Sequence, residues 1–166
     1  MSIKFLNSQE FLNKLQTRIN ALIAIPMLIL IYFFLRIENN SFNPEILSDE
    51  MLFYLRLGIL FMILVLVILG MINFRRNVGL LKVEMNLRDK LELFFSASII
   101  RSYMFGIATI LSLAGLILSA EQIYVGYYTI CLVAFSITYP TPHRINKQLK
   151  LNKEDREIIL SRKKIE

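Results

Sequence analysis

Acidic and lysine side chains are missing from the interior of every long apolar run in this chain. Proton-coupled pumps and ion-coupled carriers usually keep an ionisable residue inside the membrane, so that class is disfavoured. A four-span exporter of the small multidrug resistance kind would carry a glutamate in its first span, and there is none here. The single cysteine, Cys131, excludes an internal disulfide, a CxxC pair and a thiolate metal site within one chain, and with them the quinone-linked disulfide enzymes. The single histidine, His143, excludes a multi-histidine site. It also lies past the last apolar run, out of reach of an intramembrane serine. Lipid phosphatases and phosphotransferases need Asp, His or Arg clustered at the interface, and no such spacing is present. No internal repeat is seen, so the inverted-repeat pattern of many transporters is missing too. No catalytic, cofactor-binding or metal-ligating residue is assigned, and a non-enzymatic protein is expected.

What is present is hydrophobic sequence in blocks. Of 166 residues 55% are hydrophobic, and the mean hydropathy is +0.54. A soluble domain of this size could not bury four long apolar helices on all sides. The blocks predict an all-α membrane protein: an antiparallel four-transmembrane-helix bundle with cytoplasmic amphipathic segments. The spans are placed at about 19–36, 51–74, 98–120 and 122–139, within a membrane domain of 19–142. An amphipathic N-terminus (1–18) precedes it and a basic tail (143–166) follows. The N-terminus carries Glu10 and no Ala-x-Ala site follows, so the first span is expected to stay in the mature chain. Residues 1–18 are expected either to lie along the headgroups or to extend the first helix.

Charge sets the expected orientation. Lys plus Arg number three up to Arg18, six from Arg75 to Arg101 and eight after Pro142. Only Arg36 and Arg56 fall in the other connections. This bias predicts a multi-pass protein of the cytoplasmic (inner) membrane with both termini in the cytoplasm. Because the +6 net charge is segregated in this way, topology accounts for it and no nucleic-acid partner is expected.

Several residues invite individual readings. Pro26 removes one backbone donor from the first span and predicts a kink that a neighbour must cover. Arg56, one turn inside the second span, is expected to pair with Asp49 or Glu50. Tyr32, Tyr54, Tyr124, Tyr127 and Tyr128 are read as an outer aromatic belt, and Phe74, Phe94, Phe95 and Tyr139 as an inner one. Asn86 fits an N-cap, with Asp89 three residues on. It opens an amphipathic segment expected against the inner leaflet, turning into the third span at Arg101. Gly106, Thr109, Ser112 and Gly115 form small-residue strips on that span, candidate helix-packing positions that should make it the most contacted helix. The polar groups within the spans, among them Asn20, Asn73, Thr129, Ser136 and Thr138, read as bonded to their own helix or a neighbour. In the tail, Asn152 and Asp155 are expected to cap a short helix containing Ile158–Leu160.

Two passages, Asp89–Arg101 entering the third span and Tyr139–Asn152 leaving the fourth, resemble a group of small uncharacterised four-span bacterial inner-membrane proteins. The resemblance implies topology and location and transfers no catalytic residue. Both passages meet the inner headgroup boundary, where Arg101, Arg144, Arg75 and Arg76 are candidate contacts for anionic lipid headgroups or a protein partner. The expected role is an interaction, scaffold or accessory subunit in the lipid bilayer, working through a protein partner or a homo-oligomer. The alternative is a small homo-oligomeric transporter or channel lined by Tyr, Ser and Thr.

Overall fold

The computed structural model describes residues 8–42, 48–81, 85–149 and 151. Within them the chain forms five α-helices and no strand: α1 (Ser8–Glu38), α2 (Asp49–Gly79), α3 (Leu87–Ser119), α4 (Ile123–Thr138) and α5 (Pro142–Leu149). Two of the expectations above fall wholly or partly outside the described residues: the start of the N-terminal segment and the tail helix capped by Asn152 and Asp155.

Local chemistry accounts for the helix ends. Ser48 is extended, and its hydroxyl accepts from the Met51 amide at 3.4 Å. Asp49 and Glu50 then fill the first turn of α2 and Arg76 the last, each favourable to the helix dipole. Asn86 occupies the N-cap of α3 with φ −60° and ψ 149°, but its side chain makes no capping hydrogen bond. The helix it starts is continuous, 33 residues long, about 50 Å at 1.5 Å per residue. That exceeds a hydrocarbon core of about 30 Å. The segment before Arg101 is therefore not a separate helix, and its stripe of Leu91, Phe94 and Phe95 is covered by protein. Phe11, Leu12, Leu15 and Ile19 of α1 and Ile145 and Leu149 of α5 pack into the same cluster. The N-terminal segment likewise belongs to one unbroken α1 from Ser8 onward.

By length and composition α1, α2 and α3 can each cross a membrane. The apolar run placed at about 122–139 folds as α4 (Ile123–Thr138). α4 has 16 residues, about 24 Å. The chain then turns by 69° into α5 at Tyr139–Thr141, and only this bent pair together counts as a fourth candidate. Pro140 and Pro142 are the cause, because neither can donate to the helical ladder.

α3 is the hub. It packs closely against α1, α2 and α4, whereas α1 and α2 meet only loosely. Half of its most apolar window is buried, against 17% in α1 and 11% in α2. Small residues make this proximity achievable. A Cβ at Gly106 would press on Leu22 of α1 at 3.3 Å, and one at Gly70 would stand 3.1 Å from the Phe105 ring. The hydroxyls return to backbone: Ser102 donates to Ser98, Thr109 to Gly106, Ser119 to Gly115 and Thr138 to Ala134.

Two expectations about this region are overturned. Most of the aromatic residues assigned to belts are core. Tyr124, Tyr127 and Tyr128 are buried under α3, and Phe74, Phe94 and Phe95 are buried at the other end. Only Tyr32 and Tyr54 of the outer set stand exposed. Arg56 pairs with neither Asp49 nor Glu50. Its guanidinium grips both carboxylate oxygens of Glu121, in the α3–α4 turn, with Nε to Oε2 at 2.7 Å. The helix directs Arg56 across to α3 and α4, and the bidentate fork rewards that geometry.

The turn itself is tight. Ala120 closes α3 in the left-handed region at φ 54°, and Ser119 Oγ accepts from the Glu121 amide. Left-handed backbone costs an ordinary L-residue about 1 kcal/mol relative to glycine. Ala120→Gly is therefore expected to raise unfolding stability by up to about that amount, measured by SDS titration in mixed micelles.

Candidate functional site

The break after α4 gathers two arginines onto one helix end. The last carbonyls of a helix lack intrahelical donors and carry the negative end of its dipole. Arg101, reaching from α3, donates Nη2 to Thr138 O at 2.9 Å. Arg144, from α5, donates Nη1 to the carbonyls of Ile137 and Ser136. Pro140 and Pro142 have no amide hydrogen for the Ser136 and Thr138 carbonyls four positions before them, and the bend returns Arg144 to this helix end.

The two arginines have different surroundings. Arg101 is only 4% exposed, and its guanidinium carbon stands 3.8 Å above the centre of the Phe74 ring. Gly70, one turn earlier on α2, leaves room for its side chain. Its Nε is buried without a hydrogen-bond partner, and neither arginine is in an ion pair among the described residues. Arg144 is exposed beside a cleft lined by Ile23, Phe135, Ser136, Tyr139 and Thr141. Tyr139 of that lining donates its hydroxyl to Asn20 Oδ1, and Gln16 Nε2 donates to Pro140 O. Arg75 and Arg76 lie exposed near the end of α2.

Of the four arginines singled out from sequence, the structure thus brings two together on the α4 terminus. Arg101 is not presented to lipid phosphates at a headgroup boundary. It is enclosed between α2, α3 and α4. From sequence, Phe74 and Thr138 carry other roles, and neither they nor Gly70 is connected with Arg101. A glycine within the apolar part of α2 was the available signal for close approach, and Gly58, which faces open space, shows that the signal does not single out Gly70.

The small residues of α3 are occupied within the chain. Gly106 faces Leu22, and Thr109 and Ser112 are fully buried. Ser112 Oγ donates to Tyr124 O, and Gly115 receives the Tyr124 ring. α1 runs unbroken through Pro26, and a neighbouring helix bonds close to it. Pro26 is buried, and the Tyr128 hydroxyl of α4 donates to Ile23 O at 3.0 Å, beside the Leu22 carbonyl that Pro26 frees. Tyr128→Phe should cost about 0.6 kcal/mol, the average for such bonds in membranes. A change of that size is read by the same micellar unfolding titration.

Beside Pro26, α1 and α3 leave a trough of about 340 Å³, lined by Arg18, Ala21, Leu22, Ile25, Pro26, Tyr103, Gly106 and Ile110. No three His, Cys, Asp or Glu side chains among the described residues group as metal ligands. Comparison with protein-family models, curated proteins and solved structures finds no match.

Proposed function

We propose that this chain is a four-span, non-enzymatic accessory protein of a bacterial inner membrane that acts through lateral helix contacts. The observation carrying this reading is a division of surfaces. Polar groups of the helices turn inward to backbone acceptors, while α2 leaves a broad apolar face uncovered. Phe53, Leu57, Phe61, Leu64, Ile68 and Ile72 are all exposed along it.

The four-span reading takes the bent α4–α5 pair as the last crossing. Reversed contact order supports the up-down path: on α2, Phe74, Gly70 and Arg56 meet Phe94, Phe105 and Glu121 in turn. Cytoplasmic termini rest on the seventeen-to-two distribution of Lys and Arg, and the bacterial membrane on the resemblance of the two junction passages. A reporter enzyme fused after Glu166 should be active only when it is one that works in the cytoplasm. Activity of a periplasm-dependent reporter there would reverse the orientation.

Against a transport pathway weighs the return of span hydroxyls to backbone carbonyls, seen at Ser102, Thr109, Ser112 and Thr138. Thr129, though exposed, donates back to Val125 O. The accessory role is tested by photocrosslinking from Phe61 and Ile68 in intact membranes. Discrete protein adducts, including adducts to a second copy, are the expected result; lipid adducts alone at both positions would overturn it.

A further inference from the structure

The trough between α1 and α3 has two chemically different ends. Leu22 meets Gly106, while Phe11 and Arg18 both lie against Phe95, so α1 and α3 ascend side by side in the same direction. Arg18 lies one turn before Leu22, and Tyr103 nearly one turn before Gly106. Both polar tips therefore stand at the same end of the trough. Beyond them come Ala21, Leu22, Ile25, Pro26 and Ile110, all apolar. Arg18 also begins the 17-residue uncharged stretch that ends before Arg36, which puts it at a membrane boundary. From Arg18 to Ile25 the helix rises roughly 10 Å, most of the way to the midplane of a core of about 30 Å.

A cation at the headgroup level, a tyrosine beside it and an apolar channel descending through one leaflet match the parts of one lipid. We propose that this trough is a binding site for an anionic phospholipid, its phosphate at Arg18 and one acyl chain along Ile25, Pro26, Gly106 and Ile110. Charge selects among lipids. Arg18 stacks on the Phe95 ring at 5.5 Å and joins no ion pair among the described residues, so its guanidinium remains open to a phosphate. The site is independent of the lateral-contact reading, since it lies on the α1–α3 side and uses none of the α2 face.

The test is lipid titration of the purified full chain in mild detergent, read by native mass spectrometry. Phosphatidylglycerol and phosphatidylcholine with identical chains are compared. The parent protein should bind phosphatidylglycerol more tightly. Arg18→Gln should weaken that binding about fivefold, the worth of one cation at a membrane surface, and leave phosphatidylcholine unchanged. Ala21→Phe, on an exposed position that fills the trough without entering the core, should remove binding of both lipids above the non-specific level. Equal affinity of the parent for the two lipids would overturn the proposal, as would an Arg18→Gln protein that binds phosphatidylglycerol undiminished. So would a photoreactive group at Ile110 that labels a protein helix and no lipid. Loss of the α2 crosslinks with these lipid results intact would strike the accessory role alone.

Discussion

Arg101→Ala is expected to lower unfolding stability by about 3 kcal/mol. Its hydrogen bond to the Thr138 carbonyl is charge-assisted and buried, a class worth about 1.5–3 kcal/mol. Stacking on Phe74 in a desolvated place adds up to about 2 kcal/mol. Opposing both is the cost of keeping a cation out of water without a carboxylate beside it. The α4 terminus reduces that cost, because its carbonyls and dipole provide the negative partner. Arg101→Met separates the contributions, since it restores most of the side-chain volume without the charge. It should lose about half as much as Arg101→Ala, the remainder of the alanine deficit being unfilled space. The check is SDS-induced unfolding in mixed micelles, followed by circular dichroism. Methionine as stable as arginine would mean that desolvation cancels the capping and stacking.

Gly115→Ala should be comparably harmful for an opposite reason. The ring of Tyr124 is fully buried and lies across Gly115 so closely that a Cβ there would overlap its Cδ1 and Cε1 atoms. The ring has little room to retreat, since it also meets Tyr127 edge-on at 5.4 Å. Nor can the backbone easily move, because Ser112 holds the Tyr124 carbonyl. Overpacking a close-packed site costs about 1–3 kcal/mol, and the upper end is expected here. The same titration reads it, with a double-mutant cycle to locate the cause. Tyr124→Leu shortens the side chain, so the cost of Gly115→Ala in that background should fall by 1 kcal/mol or more, about the size of coupling seen between contacting residues. An unchanged cost would place the strain elsewhere.

Both sites show how far residue types can be read and where reading stops. Gly115 was visible as a small residue on an apolar helix, because small residues permit close approach in lipid. Its occupant was not visible: a tyrosine near the end of a span looks like a belt anchor until a glycine opposite admits it to the core. Arg101 was visible as the charge that ends an apolar run. Whether it meets phosphate or protein depends on the rotation of α3 relative to α2 and α4. That rotation is set by Gly70, Phe105 and Phe135 together. Arg56 repeats the point. Two carboxylates six and seven positions before it lost to Glu121, 65 positions away, because Glu121 meets its Nε and Nη2 side-on with both carboxylate oxygens.

The sequence by itself determined the helical character, the apolar blocks long enough for a membrane and the breaking of the last helix by Pro140 and Pro142. It also determined which helix carries the small residues. These are properties of composition and spacing along one segment, and the backbone must obey them whatever lies beside it. Only the tertiary structure decided that Tyr124, Tyr127 and Tyr128 are buried in the core and that the chain turns by 69° between α4 and α5. It also decided that a guanidinium caps that helix from the side and that a trough opens between α1 and α3. Apolar faces in lipid are nearly interchangeable, since solvent exposure does not rank them. Their partners are selected by shape, through the few places where glycine, proline or a hydroxyl alters how closely two backbones can approach.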